Sequence, residues 1–296
     1  VKEFLKIFLI AALVIFTLIL IVDFLQTDFF VTGTGDEETA SMISGSIIKH
    51  LDDNYFIPRD KGRGCNVMNI QLFGQLFTYM SNDAKDQNGN VAQDWVSSDD
   101  IVGQINEAKN NDKIKAIVLE IDSLGGYPVA AEEVANALKT AGKPTVALIR
   151  QAGLSAGYWS STGADIIFAS AISDVGSIGI TTSYLDNAKK NRKDGLTFNE
   201  LSSGKYKDAG NPDKPLTAEE RALFMRDLNI VNDNFIKQVA TNRNLPEAKI
   251  RALADGSSVL GEAALRAGLI DRIGGYAEVK KYLEDKIGSK ADVCGY

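Results

Sequence analysis

Short apolar runs alternate with amphipathic segments through the middle of the chain, which is the pattern of βαβ units. The run KAIVLEI at 115–121 is rich in β-branched residues and predicts a buried strand. PVAAEEVANALKTAG then predicts a helix, with a proline at its first position and Gly142 just past its end. PTVALI at 144–149 and DIIFAS at 165–170 predict two further strands, with a turn and a short helix between them. The pattern therefore predicts an α/β fold with a parallel sheet.

Further elements are predicted on both sides of this centre. NVMNIQLFGQLF at 66–77 predicts a strand and a turn, and Ser98 is expected to cap a helix. LTFNELSSGKYKDAGNPDKP at 196–215 predicts a strand that leads into a long polar loop. Thr217 and Glu220 have the spacing of a capping box and predict the start of a long helix.

The amino terminus carries an apolar run longer than a strand requires. The sixteen residues from Ile7 to Val22, IFLIAALVIFTLILIV, contain no charge, and Phe24 and Leu25 extend the run. A membrane span needs about 20 apolar residues, so residues 7–25 are predicted to be a transmembrane anchor. Lysines precede the run, which predicts that residues 1–6 lie in the cytoplasm. A cleaved signal peptide is the alternative, but no small-residue cleavage site follows the run.

The remainder of the chain is then predicted to lie outside the cytoplasm, as a membrane-proximal segment at 26–64 and one domain at 65–296. Cys65 and Cys294 could form a disulfide in an oxidising compartment, and two unpaired thiols are the alternative. Two cysteines and a single histidine, His50, make a metal site of nitrogen and sulfur ligands unexpected. The net charge of −7 and the absence of a basic stripe in the sequence argue against a nucleic-acid partner.

Candidate chemistry centres on Ser155. Residues 153–157 spell G-x-S-x-G, the pattern of a nucleophile elbow, a strand-to-helix turn that exposes a serine. Such a serine needs a base, and no histidine follows it in the chain. A lysine kept neutral by burial can act instead, and GKYKDAGNP offers Lys205 and Lys207. The residues alone do not choose between these lysines, and a loop lysine is commonly a solvated surface charge.

Four motifs in order resemble those of the signal peptide peptidase A family, which is serine peptidase family S49. They are IDSLGG, LSAGYW, DVGSIGI and SGKYKDAGNPDKPLTAEER. The segment SSVLGEAALRAGLIDRIGGYAEV is also similar to the family's closing segment, and the resemblance covers about residues 66–285. It implies a crotonase/ClpP-like fold and a membrane-anchored serine protease with a Ser-Lys dyad. No cofactor is expected.

The resemblance implies the roles of three side chains. Ser155 matches the family's nucleophile. Lys207, in the segment Tyr-Lys-Asp, matches the general base, so the resemblance selects it over Lys205. Ser177 matches a serine in the family's G-S-[IL]-G turn that orients the lysine.

The resemblance also implies an oxyanion hole made of two backbone N–H groups, those of Gly126 and Ala156. Gly126 is the second glycine of the turn Ser123–Gly126, and Ala156 follows the nucleophile. This chain departs from the family at both places. Leu124 stands where the family has proline, and Ala156 stands where it has glycine.

The function implied is that of a membrane serine endopeptidase that degrades signal peptides left in the membrane. Misfolded exported segments are a second implied substrate. Its partners would be these peptides, the membrane and further copies of the chain, because family members assemble into rings that are octameric in chains of this length. Two alternatives stay open: a related membrane serine peptidase with another substrate, and a catalytically degenerate scaffold.

Overall fold

The computed structural model describes residues 64–79 and 95–295. These residues belong to one compact unit, Tyr55–Tyr296. The predicted anchor at 7–25, His50 and nearly all of the membrane-proximal segment lie outside the described residues. Among the helices that are described, none combines the length and the apolar character needed to cross a bilayer.

The described residues contain a nine-stranded sheet whose central strands are parallel. The strands are β1 (Val67–Phe77), β2 (Trp95–Ser97), β3 (Ala116–Gly126), β4 (Thr145–Leu154), β5 (Ile166–Ala169), β6 (Asp174–Gly176), β7 (Ser258–Leu260), β8 (Arg272–Ile273) and β9 (Val293–Gly295). The order is β2–β1–β3–β4–β5–β8, with parallel pairing throughout. β9 pairs in parallel with β1, and β6 pairs in parallel with β4 and antiparallel with β7. The predicted α/β fold with parallel βαβ units is confirmed.

Helices cover both faces of this sheet. They are α1 (Ser98–Asn110), α2 (Pro128–Lys139), α3 (Ala156–Ser161), α4 (Ala188–Lys193), α5 (Ala218–Asn242), α6 (Glu247–Leu253), α7 (Gly261–Ala267) and α8 (Tyr276–Ile287). Ile117 and Leu119 of β3 belong to an apolar cluster with residues of α1, α2, α3 and α5. Val118 belongs to a second cluster, with Val279 and Leu283 of α8. Burial on both faces explains why the parallel strands are continuous apolar runs.

Some predicted boundaries are wrong, and one strand is absent. Ser97, not Ser98, caps α1, because the Ser97 side chain accepts a hydrogen bond from Asp100 N. The capping box of Thr217 and Glu220 is confirmed at the start of α5. The strand predicted at the start of 196–215 is wrong, since residues 196–200 are exposed and pair with none of the described strands. Strand propensity without a neighbouring strand does not produce a strand.

A disulfide joins Cys65 and Cys294, with 5.6 Å between their Cα atoms. Cys294 lies on β9, whose pairing with β1 brings it beside Met68. The two cysteines are 229 positions apart, so the bond closes almost the whole domain into a loop. Constraining so long a loop lowers the conformational entropy of the unfolded chain.

Replacing both cysteines, Cys65→Ala with Cys294→Ala, is therefore expected to lower the free energy of unfolding by about 2–5 kcal/mol. A denaturant titration of the oxidised protein measures this change. Dithiothreitol should lower the midpoint of the unsubstituted chain and leave that of the double variant unchanged. Equal midpoints for the two oxidised proteins would contradict a stabilising role for this disulfide.

Candidate active site

Ser155 lies in the sharp turn between β4 and α3. Its φ is +49°, in the left-handed region that few residues other than glycine adopt. Its N–H donates to the Gly176 carbonyl at 2.8 Å, and its own carbonyl accepts from Trp159 N–H at 2.9 Å. The turn is therefore tied to β6 on one side and to α3 on the other. A serine held in a strained backbone at a strand-to-helix turn has the geometry of a nucleophile elbow.

The glycine turn at the end of β3 lies against Ser155. A Cβ added to Gly125 would be 3.0 Å from the Ser155 Cβ and 3.7 Å from the Ala156 nitrogen. The Ser123 hydroxyl holds the turn, because it accepts from Gly125 N–H at 3.1 Å and donates to the Gly74 carbonyl at 2.6 Å. The structure therefore places this glycine turn against Ser155.

The two predicted oxyanion donors belong to backbone units next to Ser155. The Gly126 N–H is part of the peptide unit that starts at the Gly125 Cα, and Gly125 is the residue that abuts Ser155. Ala156 is the first residue of α3, so its N–H has no acceptor within the helix. Their joint role as an oxyanion hole stays a prediction.

Ser177 lies one residue beyond β6, with a φ of +50°. Because Gly176 accepts the Ser155 N–H, the backbone of Ser177 starts beside the nucleophile turn. The Ser177 hydroxyl donates to the Gly256 carbonyl at 3.0 Å. A hydroxyl with its proton so engaged keeps lone pairs that can accept a hydrogen bond from an amine. The predicted role of Ser177 in orienting a lysine stays a prediction that this geometry permits.

Lys207 lies on the exposed segment between α4 and α5. Its backbone N–H closes a turn to the Gly204 carbonyl at 3.0 Å, and its side chain is exposed. None of the described residues forms a hydrogen bond or an ion pair with its amine. Lys205 is exposed as well, and a hydrogen bond to Tyr206 raises its pKa, which is the opposite of what a general base requires. The pairing of Lys207 with Ser155 stays a prediction.

A cleft of about 690 Å³ opens beside the glycine turn. It is lined by Phe73, Gly74, Gln75, Asp122, Leu124, Gly125 and Gly126. Leu124 is 77% exposed, and the apolar side chains of Tyr127 and Val129 are exposed at the start of α2. A cleft of this size with an apolar border is suited to a ligand that is itself largely apolar.

The sequence pattern did not predict β6 or the polar side chains that brace the Ser155 turn. β6 is only three residues long and lies in a Gly- and Ser-rich segment, so its apolar pattern is too short to be recognised. Ser123, Asp122 and Ser173 bind backbone groups near the turn. The signal available was that Asp122 and Ser123 directly follow the apolar run at 115–121. No cluster of three or more possible metal ligands occurs in the part of the chain that the structure describes.

A serine in a strand-to-helix turn, beside a glycine turn that offers backbone N–H groups, is the arrangement found in serine hydrolases. The chain belongs to peptidase family S49, whose family model matches residues 137–290, just over half of its length. The matched region contains Ser155, Ser177 and Lys207. The resemblance to this family inferred from the four motifs is thereby confirmed.

Several relatives are named as proteases. Serine protease SPPA of Arabidopsis thaliana is 30% identical over 61% of this chain and 27% of that protein. Protease 4 of Haemophilus influenzae is 28% identical over 70% of this chain and 34% of that protein. A Methanocaldococcus jannaschii protein whose name includes the word protease is 31% identical over 62% of this chain and 60% of that protein. The chain thus spans less than two thirds of the length of each.

Among solved structures, a ClpP1 mutant from Listeria monocytogenes is similar to this chain with a TM-score of 0.46 and 11% identity. The similarity covers 71% of this chain and 92% of that chain. A score of this size does not establish a shared fold.

Proposed function

We propose that the chain is a serine endopeptidase in which Ser155 is the nucleophile and Lys207 is the general base. The proposal is supported chiefly by the positive φ of Ser155. The turn that contains this serine lies against Gly125, and the chain belongs to a peptidase family. A backbone strained in this way is characteristic of residues whose orientation serves chemistry.

The reaction starts when neutral Lys207 takes the hydroxyl proton of Ser155 as the serine oxygen attacks a peptide carbonyl. The N–H groups of Gly126 and Ala156 stabilise the negative charge that develops on the carbonyl oxygen. Lys207 then protonates the leaving amine. Water hydrolyses the ester on Ser155, with the same lysine as base, while Ser177 accepts a hydrogen bond from the lysine amine.

A lysine acts as a base near neutral pH when its charged form is disfavoured, and burial is the commonest cause. Lys207 is exposed among the described residues, so its burial requires a further surface. We propose that another copy of the chain supplies that surface together with the Ser155 that this lysine serves, as the ring assembly implied by the family resemblance would allow. Exposed leucines on the neighbouring segments support an interface there: Leu185 at 79%, Leu196 at 60% and Leu201 at 99%.

Mixed oligomers test whether two copies complete one site. Ser155→Ala and Lys207→Ala chains are each expected to be inactive, and chains that are unfolded together and refolded as a mixture are expected to regain peptidase activity. A site made by two copies can combine the intact lysine of one chain with the intact serine of another. If every site formed within one chain, each would lack one of the two residues, and the mixture would stay inactive.

The proposed substrates are apolar peptides, such as signal peptide remnants and misfolded exported segments. The apolar border of the cleft supports this substrate class.

We further propose that the domain lies outside the cytoplasm behind an anchor at residues 7–25. The disulfide supports that location, because disulfides persist in oxidising compartments. We also propose that the domain has the crotonase/ClpP-like fold that the family resemblance implies.

Peptide cleavage by the full chain in detergent tests the substrate class. An internally quenched apolar peptide is expected to be cleaved with a higher kcat/KM than a peptide of equal length that is rich in charged residues. The Ser155→Ala chain is the control for contaminating proteases. Equal rates on the two peptides would favour the alternative of a related peptidase with another substrate.

A further inference from the structure

The pairing of β4 with β3 is irregular immediately before the Ser155 turn. Ile121 pairs with Ile149, and the next registered pair is Ser123 with Gly153. One residue of β3, Asp122, therefore faces three residues of β4, which are Arg150, Gln151 and Ala152. A bulge of this kind bends a strand, and bulges beside active sites commonly re-aim a functional side chain.

The bulge is also where β4 exchanges one neighbouring strand for another. β4 pairs with β5 through Val146–Ile149 and with β6 through Ala152–Leu154. The exchange matters for the site because Gly176, the last residue of β6, accepts the N–H of Ser155. The position of Ser155 relative to β6 therefore depends on the shape of the bulge.

Two side chains take over backbone hydrogen bonds that the bulge interrupts. The Asp122 Oδ1 accepts the N–H of Ala152 at 3.1 Å. The buried Ser173 hydroxyl donates to the Arg150 carbonyl and accepts the N–H of Ser170 at 3.0 Å. In a regular ladder, backbone groups of the neighbouring strand would satisfy such groups. Asp122 and Ser173 therefore fix the bulge from opposite sides of β4.

The side chain of Arg150 ties the bulge to the face of the sheet covered by α8. The buried Glu120 carboxylate accepts hydrogen bonds from Arg150, from the Tyr276 hydroxyl and, at 3.0 Å, from the Asn69 amide. The Arg150 guanidinium lies 4.3 Å from the ring centre of Tyr276. Burial and the hydrogen bond to Glu120 raise the pKa of Tyr276, so its hydroxyl remains a donor.

We propose that Asp122 is a positioning residue for the nucleophile, because its carboxylate holds the Ala152 N–H and so fixes the bulge that sets Ser155 in its turn. The inference rests on the proposed function, since its effect is seen in the reactivity of Ser155. Asp122 also lines the cleft, where its charge alone could affect substrate binding. Positioning requires an acceptor oxygen at this place and not a negative charge, and that difference can be measured.

The test compares Asp122→Ala with Asp122→Asn in the full chain, by the rate constant of fluorophosphonate labelling of Ser155 and by kcat and KM. Asparagine keeps an acceptor oxygen and loses the charge, so it should retain labelling and kcat within about threefold. Alanine should lower both by about tenfold or more with a smaller change in KM, because a misplaced nucleophile loses rate rather than binding. Ser173→Ala should lower the labelling rate in the same way.

Asp165→Ala is the matched control, because the Asp165 Oδ2 accepts the N–H of Thr145 at 2.8 Å, at the opposite end of the same strand. It removes the same kind of contact and should leave the labelling rate unchanged. Labelling of Asp122→Ala at the unsubstituted rate, or an equal loss in Asp122→Asn, would overturn the positioning role. An unsubstituted chain that is not labelled at all would instead overturn the proposed function.

Discussion

The Lys207→Ala chain is expected to lose peptidase activity, with a kcat about 10²–10⁴-fold below that of the unsubstituted chain. The reason is that Ser155 is a weak nucleophile until a base takes its proton. Steady-state kinetics with a quenched apolar peptide measure the loss. Ser155→Ala provides the baseline for complete inactivation.

Lys205→Ala is the matched control for this loss. Lys205 lies two positions before Lys207 on the same exposed segment, and its hydrogen bond to Tyr206 raises its pKa. Removing its amine should therefore leave kcat close to that of the unsubstituted chain. Full activity in Lys207→Ala, or a loss confined to Lys205→Ala, would show that the general base is assigned to the wrong residue.

Gly126→Ala is expected to disable the site through the backbone. The new Cβ would lie 2.1 Å from the Leu76 carbonyl oxygen, which accepts the N–H of Tyr127 at 2.8 Å. The φ of Gly126, +158°, is also unfavourable for alanine. The turn has to move, and its N–H moves with it. The loss of one oxyanion donor corresponds to about a 10²–10³-fold lower kcat.

Gly142→Ala is the control that distinguishes the effect of backbone strain from the effect of the steric clash at Gly126. Gly142 also has a positive φ, +70°, but an added Cβ there would have no neighbour within 4 Å. It should cost about 1 kcal/mol of stability, from the left-handed backbone alone, and leave kcat unchanged. A Gly126→Ala chain with the kcat of the Gly142→Ala chain would contradict a role for this turn in catalysis.

The two departures from the family's motifs are accommodated in the fold. Ala156 is 3% exposed at the first position of α3, so its methyl group is packed within the domain. The turn that has Leu124 in place of proline is held by the Ser123 hydroxyl, through Gly125 N–H and the Gly74 carbonyl. These contacts remove part of the reason to regard the chain as a degenerate scaffold.

The fold class was predictable because parallel strands that are buried on both faces have continuous apolar runs in the sequence. The turn at Ser155 was predictable because its glycine spacing is local. The disulfide was not, since sequence does not determine the distance between Cys65 and Cys294. The role of Asp122 depends on the register between β3 and β4, which no single segment encodes. The enclosure of Lys207 that we propose could not be predicted either, because it requires a surface outside the described residues.

Ser155 is expected to react as an activated nucleophile. Mass spectrometry of the full chain after treatment with a fluorophosphonate, followed by proteolysis, locates the modified residue. The adduct is expected on Ser155, and it should form at a much lower rate in the Lys207→Ala chain. No adduct, an adduct on another serine, or an unchanged rate without Lys207 would contradict this expectation.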